Sequence, residues 1–105
     1  MAHQAAINAW EDLTIELQDE DGVRVESEGL LVHERLFAFL DDDDLIVDVP
    51  ATRADDLVSR EIAVRFKLDA HPSREWIRVS DIQLWPELAR EAHEYVGEPP
   101  VGGQS

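Results

Sequence analysis

The sequence predicts an α+β domain: a mostly antiparallel sheet of about five strands, with N-terminal, short middle and C-terminal helices packed on one face. Three observations predict it. Ala6, Trp10, Leu13 and Leu17 recur at helical spacing near the start. From Val23 to Val79 the apolar period is mostly two, broken by turn-forming residues. A second helical stripe, Leu88, Ala89, Ala92, Tyr95 and Val96, follows Pro86 and stops at Gly97.

The first helix is expected over about Gln4–Leu17, with Glu11, Asp12, Glu16 and Asp19 off its stripe. Ile15 falls on the wrong side of that stripe, and Asp21-Gly22 ends the element. Val23–Val32 reads as one strand and Leu36–Leu40 as the next, turning near His33-Glu34. His-Glu does not readily supply two positive φ angles, so this turn is expected to be loose or long.

Asp41–Asp44 reads as a tight turn, because Asp tolerates turn geometry and a strand would set like charges side by side. With Asp42-Asp43 at its centre, Leu40 pairs with Leu45, Phe39 with Ile46, Ala38 with Val47 and Phe37 with Asp48. One face then carries Leu36, Ala38, Leu40, Leu45, Val47 and Val49. The other carries Phe37, Phe39, Ile46 and Asp48.

Pro50 closes the strand, and Ala51–Ser59 makes a short helix with Ala54, Leu57 and Val58 inward. A hairpin, 62–68 with 74–79, follows around Pro72. Alternation places Ile62, Val64, Phe66, Leu68, Ile77 and Val79 inward, and Arg65, Lys67, Arg74, Trp76 and Arg78 outward. Trp10, Leu13, Leu17, Val47, Val64, Phe66, Ile77 and Val79 are the expected core. Ser80 with Gln83 suggests a cap before a short turn, and Pro86 suits the first helical position of the last helix. Residues 1–97 read as a single domain and 98–105 as a flexible tail.

Composition narrows the function classes. At 105 residues and 44% apolar, the chain can build a core without staples, and its net charge of −15 does not imply disorder. It has no cysteine, so disulfides, thiolate zinc sites and cysteine nucleophiles are excluded. No segment suggests a membrane span or a signal peptide, so the cytoplasm is the expected compartment. One lysine and eight arginines against twenty-four acids fit a high-salt cytoplasm or a GC-rich genome. Only residues 61–79 run positive, with four cations against Glu61, Asp69 and Glu75. A field this negative disfavours tight nonspecific nucleic-acid binding.

The order of elements and four segments resemble the TfoX N-terminal / MmcQ–YjbR family of small α+β domains. Leu30–Leu40 is similar to the family's strand–turn–strand with its Phe-Ala pair, and Leu45–Val58 to the strand, proline and helix that follow. Ser73–Val79 is similar to its basic-Glu-Trp strand, and Trp85–Val96 to its final helix. The match covers about Gly29–Val96. Two departures stand out: Arg24, Val25 and Glu26 replace a Met-Phe-Gly motif, and His33-Glu34 replaces an Asp-Gly turn. The resemblance implies a mostly antiparallel sheet with helices on one face, in proteins described as regulators or DNA-binding proteins.

No catalytic constellation is written in the chain. Ser27, Ser59, Ser73 and Ser80 lack a nucleophile-elbow context, and His3, His33, His71 and His93 are scattered, so neither an enzyme nor a cofactor is expected. His93 reads as a solvent-facing residue on an acidic helix, without metal-ligand spacing. The acids of the first helix suggest a metal-handling ridge as a third reading, against the simpler one of a solvated acidic face.

What remains is the outer sheet face: Phe37, Phe39, Arg65, Lys67, Arg74, Trp76 and Arg78, with Ile46. Aromatics and arginines together describe a protein-association surface or a homodimer seam. Interleaved with cations, they also describe a single-stranded nucleic-acid platform. The plain alternative is that cation–π contacts and aliphatic stems simply cover the sheet. The expectation is a non-catalytic regulatory domain that associates with a protein partner or with itself, with DNA or RNA as the alternative ligand.

Overall fold

The computed structural model describes residues 4–70, 72 and 74–97. The expected tail, 98–105, and the turn residues His71 and Ser73 lie outside them. Helix α1 spans Gln4–Leu17, as its spacing predicts, and buries Ala6, Leu13 and Leu17. Trp10 is only half-buried beside them. Strands β1 (Val23–Glu26), β2 (Gly29–Val32), β3 (Arg35–Asp41) and β4 (Asp44–Asp48) then form a meander. Helix α2 (Ala51–Ser59) leads to β5 (Ala63–Phe66) and β6 (Trp76–Val79). A 3-10 turn, Ile82–Leu84, precedes α3 (Trp85–Gly97).

The sheet has six antiparallel strands in the order β1-β2-β3-β4-β6-β5, so the α+β class holds with one more strand than expected. The extra strand comes from Val23–Val32, which is a hairpin and not one strand. Glu26 pairs with Gly29 across Ser27-Glu28, and Gly29 sits at φ 143°, a value that favours glycine.

The β2–β3 connection is tighter than expected. Val32 pairs with Arg35 across a two-residue turn in which His33 (φ 51°) and Glu34 (φ 72°) both take left-handed backbone. That is the primed turn that matches strand twist, reached here without glycine. The His33 amide donates to the Gly22 carbonyl at 3.0 Å. A Cβ added to Gly22, itself at φ 80°, would lie 2.5 Å from the His33 ring. The turn is therefore held from outside by its neighbour.

All three helices pack on one face, over Leu30, Val32, Phe37, Ala38, Leu45, Val47, Val49, Ala63, Ile77 and Val79. Trp85 locks α3 to the sheet by donating its indole N–H to the Val79 carbonyl at 3.0 Å. Asp81, and not Ser80, caps the 3-10 turn by accepting from the Gln83 amide. Tyr95 faces out at 50% exposure, off the expected stripe, while Trp85 takes a place in it. No helix is long and apolar enough to cross a membrane among the described residues.

Candidate functional site

The face away from the helices carries a second apolar cluster: Leu31, Leu36, Ile46 and Trp76 are buried, with Phe39, Phe66 and Leu68 packed on them. Its composition differs from the expected one, and each difference has a local cause. The β3–β4 register is as predicted, with Ala38 on Val47, Phe39 on Ile46 and Leu40 on Leu45. Against β2, however, Leu31 pairs with Leu36 and Leu30 with Ala38, so Phe37 is an extra residue. This bulge reverses the alternation. Leu36 turns to the outer face, and Phe37 goes to the helix face, fully buried.

Phe37 therefore does not belong to the outer site. It meets the ring of His93 edge-on, with centroids 5.6 Å apart. His93 is in turn half-buried against the sheet, not solvent-facing, and its Nε2 is buried without a hydrogen-bond partner among the described residues.

Strand β5 is also inverted relative to expectation. Val64 pairs with Arg78 and Phe66 with Trp76, which puts both on the outer face, while Ala63 and Arg65 face the helices. Val64 is 63% exposed and contributes nothing to the core. β5 runs beside α2, and the small Ala63 joins the helix-side core there with Ala54 and Leu57.

Arg65 reaches across the helix side to Asp55 of α2 and to Glu75. The Arg65 guanidinium pKa is raised above its ordinary value, first by its hydrogen bond to Asp55. Lys67 follows the end of β5 and is exposed. Of the seven expected site residues, Phe39, Trp76, Arg74 and Arg78 gather on the outer face.

Trp76 is on the expected face but only 1% exposed, so it is a buried centre and not a protruding anchor. Phe39 stands edge-on to it at 5.6 Å and to Phe66 at 5.9 Å. Arg74 lies 4.7 Å over the Trp76 ring, and Arg78 lies 5.3 Å over Phe66. Both arginines also meet acids. Arg74 donates from Nε to Asp48, which is buried, and from Nη2 to the Leu36 carbonyl. Arg78 donates to Asp44 at 2.8 Å and to Asp41, and these bonds raise its guanidinium pKa. Both charges are thus matched inside the chain.

Two concavities flank this cluster. One, of about 200 Å³, is mostly apolar and lined by Glu28, Leu36, Phe39, Leu68 and Ala70. The other, of about 320 Å³, lies at the connected end of the β5–β6 hairpin, where Arg65, Phe66, Lys67, Pro72, Arg74, Glu75 and Trp76 meet. Leu68 and Ala70 are not among the expected site residues, although Leu68 continues the alternation of β5. Both line the groove from beyond the end of β5, where no periodicity places them.

Among the described residues, no three His, Asp or Glu side chains come together as metal ligands would. No family model matches the chain, and neither the curated proteins nor the solved structures yield a match.

Proposed function

We propose that this is a non-catalytic interaction domain of the TfoX N-terminal / MmcQ–YjbR kind, which binds a protein partner on its outer sheet face. One observation carries the reading. The face turned away from all three helices holds its own apolar cluster, and beside it Phe39 and Leu68 line an apolar groove with Leu36 and Ala70. A sheet face that serves only as a solvated surface does not collect this many large apolar groups. Small concave apolar patches with a polar rim suit insertion of a partner's side chain. Arg74, Arg78 and their acids form that rim.

The nucleic-acid alternative is less well supported. Arg74 and Arg78 already face Asp48, Asp41 and Asp44, so releasing them for phosphates would leave those acids unmatched. Trp76 is also unavailable for base stacking, being covered by Arg74.

The test is a partner isolated by affinity capture and then titrated, purified, against wild type, Phe39→Asp and Leu68→Asp. A loss of about tenfold or more in both variants, with far-UV circular dichroism unchanged, is expected for groove-centred binding. Equal affinity for all three forms would refute the reading. Salt-sensitive, submicromolar binding of single-stranded oligonucleotides, lost in Arg74→Ala and Arg78→Ala, would replace it with the alternative.

A further inference from the structure

We propose that the edge strand β1 pairs antiparallel with β1 of a second copy, joining two sheets into one of twelve strands. β1 ends the strand order, so alternate residues point backbone N–H and C=O groups away from β2. Its four residues, Val23, Arg24, Val25 and Glu26, are complementary to themselves. In an antiparallel pair centred on Val25, Val25 meets Val25 of the second copy. Arg24 then stands opposite Glu26 of the second copy, and the two-fold axis repeats that contact. Both charge pairs fall on the outer face, because Arg24 lies opposite Leu31 of the outer cluster.

Three features make this strand the candidate. Val25 is 45% exposed at the rim of the sheet, an apolar side chain with little cover. Among the described residues Arg24 meets exposed ion partners, at 3.1 Å to Glu26 and 3.2 Å to Glu34, and such pairs exchange at little cost. The opposite edge offers no such match. β5 carries Arg65 and no acid, and Arg65 is already engaged by Asp55 and Glu75.

The two-fold axis runs perpendicular to the sheet, so both outer faces point the same way. The pair would present two copies of the Phe39–Leu68 groove side by side and bind a repeated ligand more tightly than one copy does. A pairing this small buries little surface, so the expected association is weak, at about 0.1–1 mM.

Sedimentation equilibrium in about 0.3 M NaCl, where the repulsion between two copies of net charge −15 is screened beyond roughly 6 Å, measures the association directly. Arg24→Glu and Glu26→Arg each place like charges opposite one another and should lower the association constant about tenfold. Glu26→Arg should do so although it reduces the net charge. The double variant, Arg24→Glu with Glu26→Arg, restores opposite charges and should return the constant to within about threefold of wild type.

Amide exchange in β1, but not in β5, should slow as wild-type concentration rises. A wild type that stays monomeric up to about 1 mM would overturn the proposal. So would a dimer indifferent to the single variants, one not rescued by the double variant, or one abolished by Leu68→Asp. The charge-reversal results leave the partner-binding groove untested, since Arg24 and Glu26 do not line it, whereas dissociation by Leu68→Asp would place the seam at the groove instead of at β1.

Discussion

Arg74 lies over the ring of Trp76, 4.7 Å from its centroid, while its Nε donates to Asp48 on the neighbouring strand. Asp48 pairs with Trp76 in the β4–β6 ladder, so the guanidinium spans an aromatic face and a buried carboxylate at once. The face that the sequence marks as basic and aromatic is in this way largely closed on itself. What it leaves open is the groove beside it.

Trp76→Ala should therefore act on stability before it acts on binding. Removing a side chain that is 1% exposed leaves a cavity among Phe39, Phe66 and Ile46, at an expected cost of about 3–5 kcal/mol. Chemical denaturation measures it. A loss under about 1 kcal/mol would mean that the ring is free and the cluster loosely packed.

Asp48→Ala tests the other half of the same arrangement. It strands the Arg74 guanidinium, whose side chain is 17% exposed, without its carboxylate, and breaking such a pair costs about 3–5 kcal/mol. The double variant Asp48→Ala with Arg74→Met should recover part of that loss. Additive losses would show that the two residues act independently.

The two sheet faces separate cleanly by core substitution. Leu13→Ala removes a residue that is 2% exposed and joins α1 to the sheet, so about 2–5 kcal/mol is expected. Val64→Ala, at a position 63% exposed, should fall within about 0.5 kcal/mol of wild type. Comparable losses for the two would return Val64 to the core, where the alternation of β5 first suggests it.

That alternation shows where the sequence is legible and where it is not. Helix α1, the Asp42-Asp43 turn and the β3–β4 register follow from spacing alone, because each has one apolar pattern and one way to satisfy it. Strand β5 has two ways. Ile62, Val64, Phe66 and Leu68 alternate, but the sheet buries apolar groups on both faces, so period two does not say which face they take. Phe37 and Leu36 are exchanged by a bulge that adds one residue against β2 and leaves no mark in the apolar pattern. The β1–β2 turn is illegible for a related reason. Ser27-Glu28 carries no Asn-Gly or Asp-Gly signal, and Gly29 sits one residue past the turn centre.

Glu34→Gly addresses the strained turn. Glu34 sits at φ 72°, a conformation that costs a residue with a Cβ about 1–2 kcal/mol and glycine much less. The substitution also removes the exposed Arg24–Glu34 pair, worth at most about 1 kcal/mol. A net gain of roughly 0.5–1 kcal/mol in unfolding free energy is expected. A net loss would show that the ion pair, or the chain entropy of the unfolded glycine variant, outweighs the strain.

Salt dependence discriminates between two electrostatic accounts of so acidic a fold. The net charge of −15 predicts that screening relieves self-repulsion, so the thermal midpoint of the wild type should rise between dilute buffer and about 0.5 M NaCl. The arginines oppose this trend, since Arg53, Arg78 and Arg90 each pair with acids on elements other than their own. Arg78 is the informative one. Asp41 and Asp44 stand directly opposite each other in the β3–β4 ladder, and Arg78 donates to both. Arg78→Gln leaves two like charges facing each other, a loss of about 1–2 kcal/mol in dilute buffer. Because that repulsion is itself screened, the gap between variant and wild type should narrow as salt rises. Arg60→Gln, which loosens only an exposed i,i+4 pair with Asp56, should change the midpoint little at any salt. A wild-type midpoint that falls with salt would mean that the arginine bridges outweigh the net repulsion. A gap for Arg78→Gln that stays constant with salt would mean that Arg78 contributes through its packing over Phe66 instead of through its charge.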